Sequence, residues 1–273
     1  MPVLDEIVAA TRVSLGERKR AMDRGELERA AAQHTPRGFR RNLEQRARAE
    51  GIAVIAELKK ASPSRGVLRA GMDVAAVARD YESGGAAALS VLTEEKYFQG
   101  SLENLRIASS STSLPCLRKD FMIDEFQVLE ARANRADAIL LIVAALADGE
   151  MQRLFHSARE LKLDVLCEVH DEQELDRAIA CGCDIIGVNN RDLKTFQVEL
   201  TTAERLAPRI SAKTLKVAES GIHSGEDMAR LHASGFNVFL IGESLITKPS
   251  PGEALKNLLH SARSLAAATP AKS

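Results

Sequence analysis

The fold is decided by one stretch of sequence, Ala53-Val-Ile-Ala-Glu57-Leu-Lys59-Lys-Ala-Ser-Pro-Ser-Arg-Gly66. It begins as a short apolar run typical of a β-strand and ends in Ser, Pro and Gly residues typical of a loop. Glu57 and Lys59 stand two residues apart, so on a strand their side chains share one face. An apolar strand with a charged carboxyl end is typical of the catalytic end of a parallel barrel. The alternative is a plain core strand that runs into a solvated loop.

The same pattern, an apolar run followed by a helical segment, recurs along the rest of the chain. The runs are Ile52–Leu58, Ala87–Leu92, Leu114–Arg118, Ala138–Val143, Val165–Val169, Ile185–Asn189, Leu215–Glu219 and Phe236–Ile241. Strands that alternate with helices favour a parallel sheet, and continuous apolar runs favour strands buried on both faces. The sequence therefore predicts an α/β protein with a single (β/α)8 TIM barrel. The alternative, an open doubly wound sheet, usually has a Gly-x-Gly-x-x-Gly turn after its first strand, and this chain has none there.

The pattern divides the chain into three parts. Residues 1–51 are highly charged with helical apolar spacing, and we expect an N-terminal helical extension packed on the barrel, with a solvated arm as the alternative. Residues 52–264 form the predicted catalytic barrel. Residues 265–273 are rich in Ala, Ser, Pro and Lys and are expected to be a disordered tail.

Composition excludes several classes of function. The net charge is −1, from 37 basic and 38 acidic residues, which gives no indication of nucleic-acid binding. The first residues carry acidic side chains and no continuous apolar core, so we expect no secretory signal. The most apolar run, Ala138–Leu146, is far too short for a membrane span.

The four cysteines are Cys116, Cys167, Cys181 and Cys183. They form no Cys-x-x-Cys pair, and the six histidines do not bracket them, so no zinc site is predicted. We expect reduced, buried thiols in a cytoplasmic protein. His170, His223 and His232 have no carboxylate or thiol at metal-ligand spacing and are interpreted as loop or surface residues.

Polar side chains follow five of the apolar runs at their carboxyl ends. They are Glu57 and Lys59 after the first run, Lys119 after the third, Glu168 in the fifth, Asn189 in the sixth and Glu219 in the seventh. In a barrel these ends meet at one mouth, where barrel enzymes hold their catalytic groups. Solubility alone does not explain five such endings. The sequence therefore predicts one active site at this mouth.

Small, flexible turns follow the last two runs. They are Ser220-Gly221 and Gly242-Glu243-Ser244. Such turns allow backbone N–H groups to approach an anion at the start of a helix, and the seventh and eighth loops of barrels commonly bind phosphate. With Lys59 nearby on the first strand, they predict a phosphate site.

Taken together, these motifs closely resemble those of the indole-3-glycerol phosphate synthases of tryptophan biosynthesis. The motifs are Glu57-Leu-Lys-Lys-Ala-Ser62-Pro-Ser64, Val91-Leu-Thr-Glu-Glu-Lys-Tyr-Phe98-Gln-Gly100, Leu117-Arg-Lys119-Asp-Phe121, Glu168-Val169, Gly187-Val-Asn189-Asn-Arg191-Asp-Leu193 and Ala218-Glu219-Ser220-Gly221-Ile222. They occur in order between Ile52 and Leu258, and several are six or more residues long. The N-terminal segment agrees in kind, as a helical extension, rather than in detail.

The resemblance implies a carboxy-lyase that closes the ring of 1-(2-carboxyphenylamino)-1-deoxyribulose 5-phosphate with loss of carbon dioxide and water. It implies a phosphorylated small-molecule substrate, no cofactor and no metal. No nucleic-acid or membrane partner is expected, and the protein is expected to be a monomer or a weak homo-oligomer in the cytoplasm. The alternatives are a phosphosugar isomerase on the same barrel and a barrel without catalysis.

The resemblance also implies roles for individual residues. Lys119 would be the principal general acid, Glu168 the general base and Lys59 a second essential cation. Supporting polar groups would be Glu57, Asn189 and Glu219. Lys119 needs a lowered pKa to donate a proton readily near neutrality. Burial and neighbouring cations would lower this pKa and Glu57 would raise it, so the sequence leaves the direction open.

The implied binding residues surround these groups. Phosphate would lie against Ser220, Gly221, Gly242 and the backbone of Glu243, together with Lys59. The remaining contacts would come from Ser62, Phe98, Phe121 and Arg191, with Arg191 on the substrate carboxylate. Many relatives have Ser in place of Glu243, so only a side-chain phosphate contact is in question there.

Overall fold

The structure is a computed structural model that describes residues 2–193 and 195–268. Its centre is a closed barrel in which eight parallel strands pair in chain order and the last pairs with the first. The strands are β1 Ala53–Leu58, β2 Ala88–Leu92, β3 Cys116–Lys119, β4 Ala138–Ile142, β5 Asp164–Val169, β6 Ile185–Asn189, β7 Leu215–Glu219 and β8 Val238–Ile241. The predicted (β/α)8 barrel is confirmed, and the open-sheet alternative is wrong.

Strand side chains alternate between two apolar layers. Ile55, Leu117 and Leu140 belong to the cluster that fills the barrel interior. Val54 and Val91 belong to the larger cluster in which the outer faces of the strands pack against the surrounding helices. Burial on both faces is the physical reason for the continuous apolar runs in the sequence.

Helices surround the barrel and follow its strands. They are α4 Val74–Ser83, α5 Leu102–Ser111, α6 Glu125–Ala133, α7 Asp148–Glu160, α8 Glu172–Cys181, α9 Thr201–Leu206, α10 Gly225–Ala233, α11 Glu243–Ile246 and α12 Pro251–Ala268. Side chains at several helix starts accept a backbone hydrogen bond, for example Asp73, Ser101 and Asp171. A short hairpin, Ala61–Ser62 with Gly66–Val67, lies between β1 and α4.

Three helices precede the barrel. They are α1 Pro2–Ala21, α2 Arg24–Gln33 and α3 Phe39–Glu50. Phe39 and Leu43 of α3 are fully buried and join the interior cluster of the barrel. α3 ends just before β1 begins, and the Asn42 side chain donates to the backbone carbonyl of Ala87, just before β2. The helix therefore lies at the amino-terminal end of the barrel, opposite the predicted active site.

Two expectations from the sequence need correction. Cys167 of β5 and Cys183, which precedes β6, form a disulfide, so the prediction of reduced thiols is wrong for this pair, and Cys116 and Cys181 remain free. The pairing of β5 with β6 brings together two residues that are separated by 16 positions in the chain. In addition, α12 continues to Ala268, so residues 265–268 are helical, and residues 269–273 of the expected tail lie outside the described part.

Candidate active site

A cavity of about 200 Å³ opens at the carboxyl end of the strands. Its lining includes every residue for which the sequence predicted a catalytic or binding role: Glu57, Lys59, Ser62, Phe98, Lys119, Phe121, Glu168, Asn189, Arg191, Glu219, Ser220, Gly221, Gly242 and Glu243. The residues come from seven strand ends and the loops after them, and they are up to about 190 positions apart in the chain. Closure of the barrel is what brings them together.

Three buried carboxylates and two lysines form the polar floor of this cavity. The Lys119 Nζ lies 2.9 Å from Glu168 Oε2 and 3.3 Å from Glu219 Oε2. The Lys59 Nζ lies 2.7 Å from Glu57 Oε1. The carboxylates are 2–3% exposed, so these charges interact through protein rather than through bulk water.

The cluster settles the direction that the sequence left open for Lys119. Burial alone would lower its pKa, but the carboxylates of Glu168, Glu219 and Glu57 outweigh burial, and the pKa of Lys119 is raised. The ammonium form is therefore the resting state of this group near neutral pH.

The two carboxylates on Lys119 differ in their pKa. Burial would raise the pKa of Glu168, but the charges of Lys119 and His170 outweigh it and lower this pKa. For Glu219, burial together with the nearby Glu168 and Glu57 raises the pKa to about 7 despite Lys119. One carboxylate is thus held ionised while the other takes up a proton near neutrality, a separation typical of acid–base pairs in active sites.

Two glycines make room for the carboxylates, and the sequence analysis missed the function of one of them. A Cβ on Gly187 of β6 would lie 2.1 Å from Glu219 Oε1, and a Cβ on Gly242 would lie 2.4 Å from Glu57 Oε1. Any larger residue at either place would displace a carboxylate. The only sequence signal for Gly187 is a glycine inside a strand, which often indicates a close approach by another group.

The turns after β7 and β8 lie side by side. Ser220 and Gly221 both adopt positive φ, 64° and 77°, which turns the chain sharply at the end of β7. The Ser244 hydroxyl donates to the backbone carbonyl of Ile222 at 2.9 Å and so joins the two turns. The buried Asn190 side chain donates to the carbonyls of Glu219 and Ser220, which fixes the first turn from the neighbouring strand.

The Glu243 side chain makes a contact of its own, in addition to the backbone N–H predicted to face phosphate. Its Oε1 lies 3.0 Å from Arg65 Nε, in the loop after β1. Because Glu243 begins α11, its carboxylate also lies near the free N–H groups of that short helix. Arg65 thus balances a negative charge that stands at the edge of the predicted phosphate site.

Apolar side chains form the opposite wall of the cavity. The rings of Phe98 and Phe121 lie with centroids 6.2 Å apart at 39°. The sequence analysis also missed other apolar lining residues, among them Leu4 and Ile7 of α1 and Phe196. Nothing in the local sequence distinguishes them from core residues, because α1 reaches the cavity only through the packing of the whole chain.

Arg191 lies at the rim of the cavity. Its backbone N–H donates to the Asn189 side-chain oxygen at 3.0 Å, and its guanidinium donates to the Phe196 carbonyl at 3.4 Å. Arg191 is thus tied both to the end of β6 and to the backbone of the loop that follows it. A planar guanidinium in such a place suits a substrate carboxylate.

His170 lies in the loop after β5, as expected, but it is not a surface residue. Its side chain is 12% exposed, with Nε2 3.4 Å from Glu168 Oε1 and Nδ1 2.9 Å from Glu174 Oε2. Burial would lower its pKa, but the two carboxylates outweigh burial and raise the pKa to about 10. The sequence contained the signal, because Glu168 and His170 are two positions apart at the end of a strand, where such a spacing directs two side chains to the same side.

Within residues 2–193 and 195–268, no group of three or more His, Cys, Asp or Glu side chains is arranged to hold a metal ion. In the same part of the chain, every helix is too short or too polar to cross a membrane.

Comparisons with known proteins show which proteins the chain is similar to. The family model described as indole-3-glycerol phosphate synthase matches residues 4–258. The chain is 56% identical over 256 residues to the indole-3-glycerol phosphate synthase of Koribacter versatilis, covering 94% of this chain and 98% of that protein. It is 48% identical over 257 residues to that of Acidithiobacillus ferrooxidans, covering 94% and 98%.

Distant solved structures share the barrel. Thiamine phosphate pyrophosphorylase from Pyrococcus furiosus superposes with a TM-score of 0.61 at 15% identity, over 79% of this chain and 98% of that one. KGPDC from Streptococcus mutans gives a TM-score of 0.60 at 10% identity, over 78% and 98%. At such low identity these likenesses establish the fold alone.

Proposed function

Because the chain belongs to the indole-3-glycerol phosphate synthase family, we propose that the cavity at the carboxyl end of its barrel is the site of that reaction, with Lys119 as general acid and Glu168 as general base. The enzyme closes the ring of 1-(2-carboxyphenylamino)-1-deoxyribulose 5-phosphate, with loss of carbon dioxide and water, to give indole-3-glycerol phosphate. The observation that carries the proposal is the Lys119 ammonium held between the carboxylates of Glu168 and Glu219 in the floor of the cavity.

Ring closure comes first. A carbon of the aromatic ring attacks the ketone carbon of the sugar chain, and the ketone oxygen gains negative charge. The raised pKa of Lys119 keeps it protonated and makes it a weaker acid than the sequence analysis required. It donates a hydrogen bond to this oxygen, and the proton transfers because the developing alkoxide is a stronger base than the lysine amine. Phe98 and Phe121 hold the ring against the ketone, which replaces a bimolecular encounter by a fixed geometry.

Decarboxylation follows without a further acid. The carbon–carboxylate bond breaks, carbon dioxide leaves, and the bonding electrons return to the ring and restore its aromaticity. Arg191 at the rim binds the carboxylate until this step. The protein contributes to this step by orienting the carboxylate out of the ring plane.

Dehydration completes the reaction. The hydroxyl that formed on the former ketone carbon leaves as water after protonation by an ammonium group, and Glu168 removes a proton from the adjacent carbon. Lys59, 2.7 Å from Glu57, stands on the other side of the cavity floor as the second cation. Glu57, Asn189 and Glu219 support these groups, and each well-placed acid or base contributes about 10²- to 10⁴-fold in rate.

The phosphate of the substrate binds at the paired turns after β7 and β8. Ser220, Gly221, Gly242 and the backbone N–H of Glu243 surround it, and Lys59 and Ser62 contact the sugar phosphate from the segment after β1. The Ser62 hydroxyl is buried and has no hydrogen-bond partner within the described part of the protein, so it is available to the substrate. The ion pair of Glu243 with Arg65 limits repulsion of the dianion.

A direct assay tests the reaction, and two variants test the division of roles. We expect the protein to convert the carboxyphenylamino sugar phosphate into a fluorescent indole, whereas a phosphosugar isomerase or a barrel without catalysis would give none. Lys59→Ala should raise KM and lower kcat, because Lys59 faces both phosphate and reacting atoms. Glu168→Gln should lower kcat and leave KM nearly unchanged. The reverse pattern in steady-state kinetics would contradict this assignment.

We further propose that the enzyme works in the cytoplasm as a monomer or weak homo-oligomer. Its large exposed apolar side chains, such as Val13, Val67 and Ile179, come from separate elements. Light scattering behind a sizing column should give a mass near 29.6 kDa at micromolar concentration. A stable dimer or larger assembly under these conditions would contradict the proposal.

A further inference from the structure

We propose that His170 is a positioning residue, which holds the Glu168 carboxylate in the orientation in which it takes a proton from the substrate. The inference rests on the proposed role of Glu168 as general base. His170 stands just past the end of β5, two residues after Glu168, and its ring lies against the base on the side away from Lys119.

The two oxygens of Glu168 have different cationic neighbours. Oε2 lies 2.9 Å from Lys119 Nζ, and Oε1 lies 3.4 Å from His170 Nε2. A carboxylate with one neighbour is free to rotate about its last bond, whereas two neighbours on opposite oxygens fix its plane. The pair of cations thus determines which lone pair of Glu168 faces the cavity.

The imidazole is itself fixed by α8. Glu174 Oε2 accepts both the His170 backbone N–H at 2.8 Å and the ring Nδ1 at 2.9 Å. The Glu174 backbone N–H in turn donates to the Asp171 side chain, which caps the helix. Because Nδ1 is directed at Glu174, Nε2 is directed at Glu168. The start of α8 therefore fixes the orientation of the imidazole, and the imidazole fixes that of the Glu168 carboxylate.

The surroundings of the imidazole keep it charged. The charged groups in contact with it are Glu168 from β5 and Glu174 from α8, and Lys119 of β3 acts on it through Glu168. The pKa of His170 is raised to about 10 by these carboxylates, against the effect of burial. At neutral pH both ring nitrogens therefore carry a proton: Nδ1 donates to Glu174, and Nε2 faces Glu168 in an ion pair at 3.4 Å.

Amide side chains can separate the two contacts of the ring. In His170→Gln, the amide nitrogen reaches the place of Nε2 and preserves a donor toward Glu168. In His170→Asn, it reaches the place of Nδ1 and preserves only the contact with Glu174. His170→Ala removes both contacts, and His156→Gln, at an exposed histidine on α7, is the matched control.

We expect His170→Ala to lower kcat about 10- to 100-fold, as for a reacting group displaced by a fraction of an ångström, with KM within about twofold of wild type. His170→Gln should retain more turnover than His170→Asn. In all three variants the acidic limb of the kcat/KM profile should move to higher pH, because Glu168 loses a cation that lowers its pKa. His156→Gln should match wild type.

A second readout follows the imidazole directly. By NMR, the His170 ring of the wild-type protein should remain protonated through neutral pH, and Glu168→Gln should lower its pKa because one of its two carboxylates is gone. A purely structural histidine would change melting temperature without moving the acidic limb.

The inference would be overturned if the His170 variants kept wild-type kcat, or if Gln and Asn lost turnover equally with an unmoved acidic limb. The Glu168→Gln variant distinguishes failure of the inference about His170 from failure of the proposed function. If Glu168→Gln keeps wild-type turnover, the base itself is misassigned. If Glu168→Gln loses turnover and the His170 variants do not, only the role of His170 is wrong.

Discussion

Two buried carboxylates at opposite ends of the barrel have opposite surroundings. Asp137, at the amino-terminal end before β4, accepts hydrogen bonds from His34, from the backbone and guanidinium of Arg37 and from the backbone N–H of Cys116. Glu219, at the catalytic end, has Lys119 at 3.3 Å on one oxygen and no hydrogen-bond partner within the described residues on the other. One is satisfied by the fold, and the other is left incomplete.

The pKa values follow this difference. Burial would raise the pKa of both carboxyl groups. The donors around Asp137 outweigh burial and lower its pKa, whereas the pKa of Glu219 is raised to about 7 by burial together with the nearby Glu168 and Glu57. The amino-terminal end therefore uses buried charge for stability. The carboxyl end stores unsatisfied charge, which is typical of sites where a substrate completes the interactions.

The largest expected effect is on stability, at the satisfied end. Asp137→Ala should lower the free energy of unfolding by about 3–5 kcal/mol, because Arg37 and the backbone donors lose their buried acceptor. Turnover per folded molecule should stay unchanged, since the active site lies at the other end of the barrel. Urea unfolding and kcat of the folded fraction measure the two effects.

Asp148→Ala is the matched control for this prediction. Asp148 pairs with Arg177 on the surface, and exposed ion pairs contribute only about 0–1 kcal/mol. Equal losses for Asp137→Ala and Asp148→Ala would show that the network around Asp137 is not a major source of stability.

A smaller effect on stability is expected at Gly187, at the catalytic end of the barrel, where a substitution should also lower kcat. Gly187→Ala places a methyl group 2.1 Å from Glu219 Oε1, so Glu219 must move. We expect a loss of about 1–3 kcal/mol in stability, together with a clear fall in kcat. Gly149→Ala, where the new Cβ has no contact closer than 3.6 Å, should leave kcat unchanged. Unchanged turnover in Gly187→Ala would mean that the place of Glu219 is not critical.

The smallest effect is a difference in pH dependence. Glu219 has a folded pKa of about 7, above its ordinary value of 4.5, so its ionisation costs stability progressively as pH rises from about 4.5 to 7. Glu219→Gln should therefore be relatively more stable than wild type at pH 8 than at pH 4.5. Thermal unfolding at a series of pH values measures this shift.

Asp137 should show the opposite dependence. Its pKa is lowered in the folded protein, so its contribution to stability is present above its ordinary pKa of 3.8 and is lost as pH falls through the lower folded value. The stability difference between wild type and Asp137→Asn should shrink toward acid pH. If both variants followed the same pH dependence as wild type, the contrast between the two carboxylates would be wrong.

Most of the barrel could be predicted from the sequence because its signals are local. Each apolar run, such as Ile52–Leu58, carries its own strand pattern, and each charged ending lies at or just after the end of that strand. Topology then does the rest, because parallel strands in a barrel bring their carboxyl ends together. Lys119 and Glu219 meet across 100 residues for this reason alone.

The features that the sequence analysis did not predict depend on contacts between distant segments. The room that Gly187 leaves for Glu219, the disulfide of Cys167 with Cys183, and the contribution of Leu4 to the cavity wall all arise when distant segments pack. His170 is different, because the two-residue spacing that linked Glu57 with Lys59 applies equally to Glu168 and His170. Metal-ligand spacing does not reveal such a contact between a histidine and a single carboxylate.

The proposed catalysis depends most directly on the Lys119 ammonium at the floor of the cavity. Single-turnover formation of indole with saturating substrate should be about 10²- to 10⁴-fold slower in Lys119→Met than in wild type, with a similar unfolding midpoint for both proteins. A Lys119→Met protein that is folded and forms indole within about threefold of the wild-type rate would contradict the central claim.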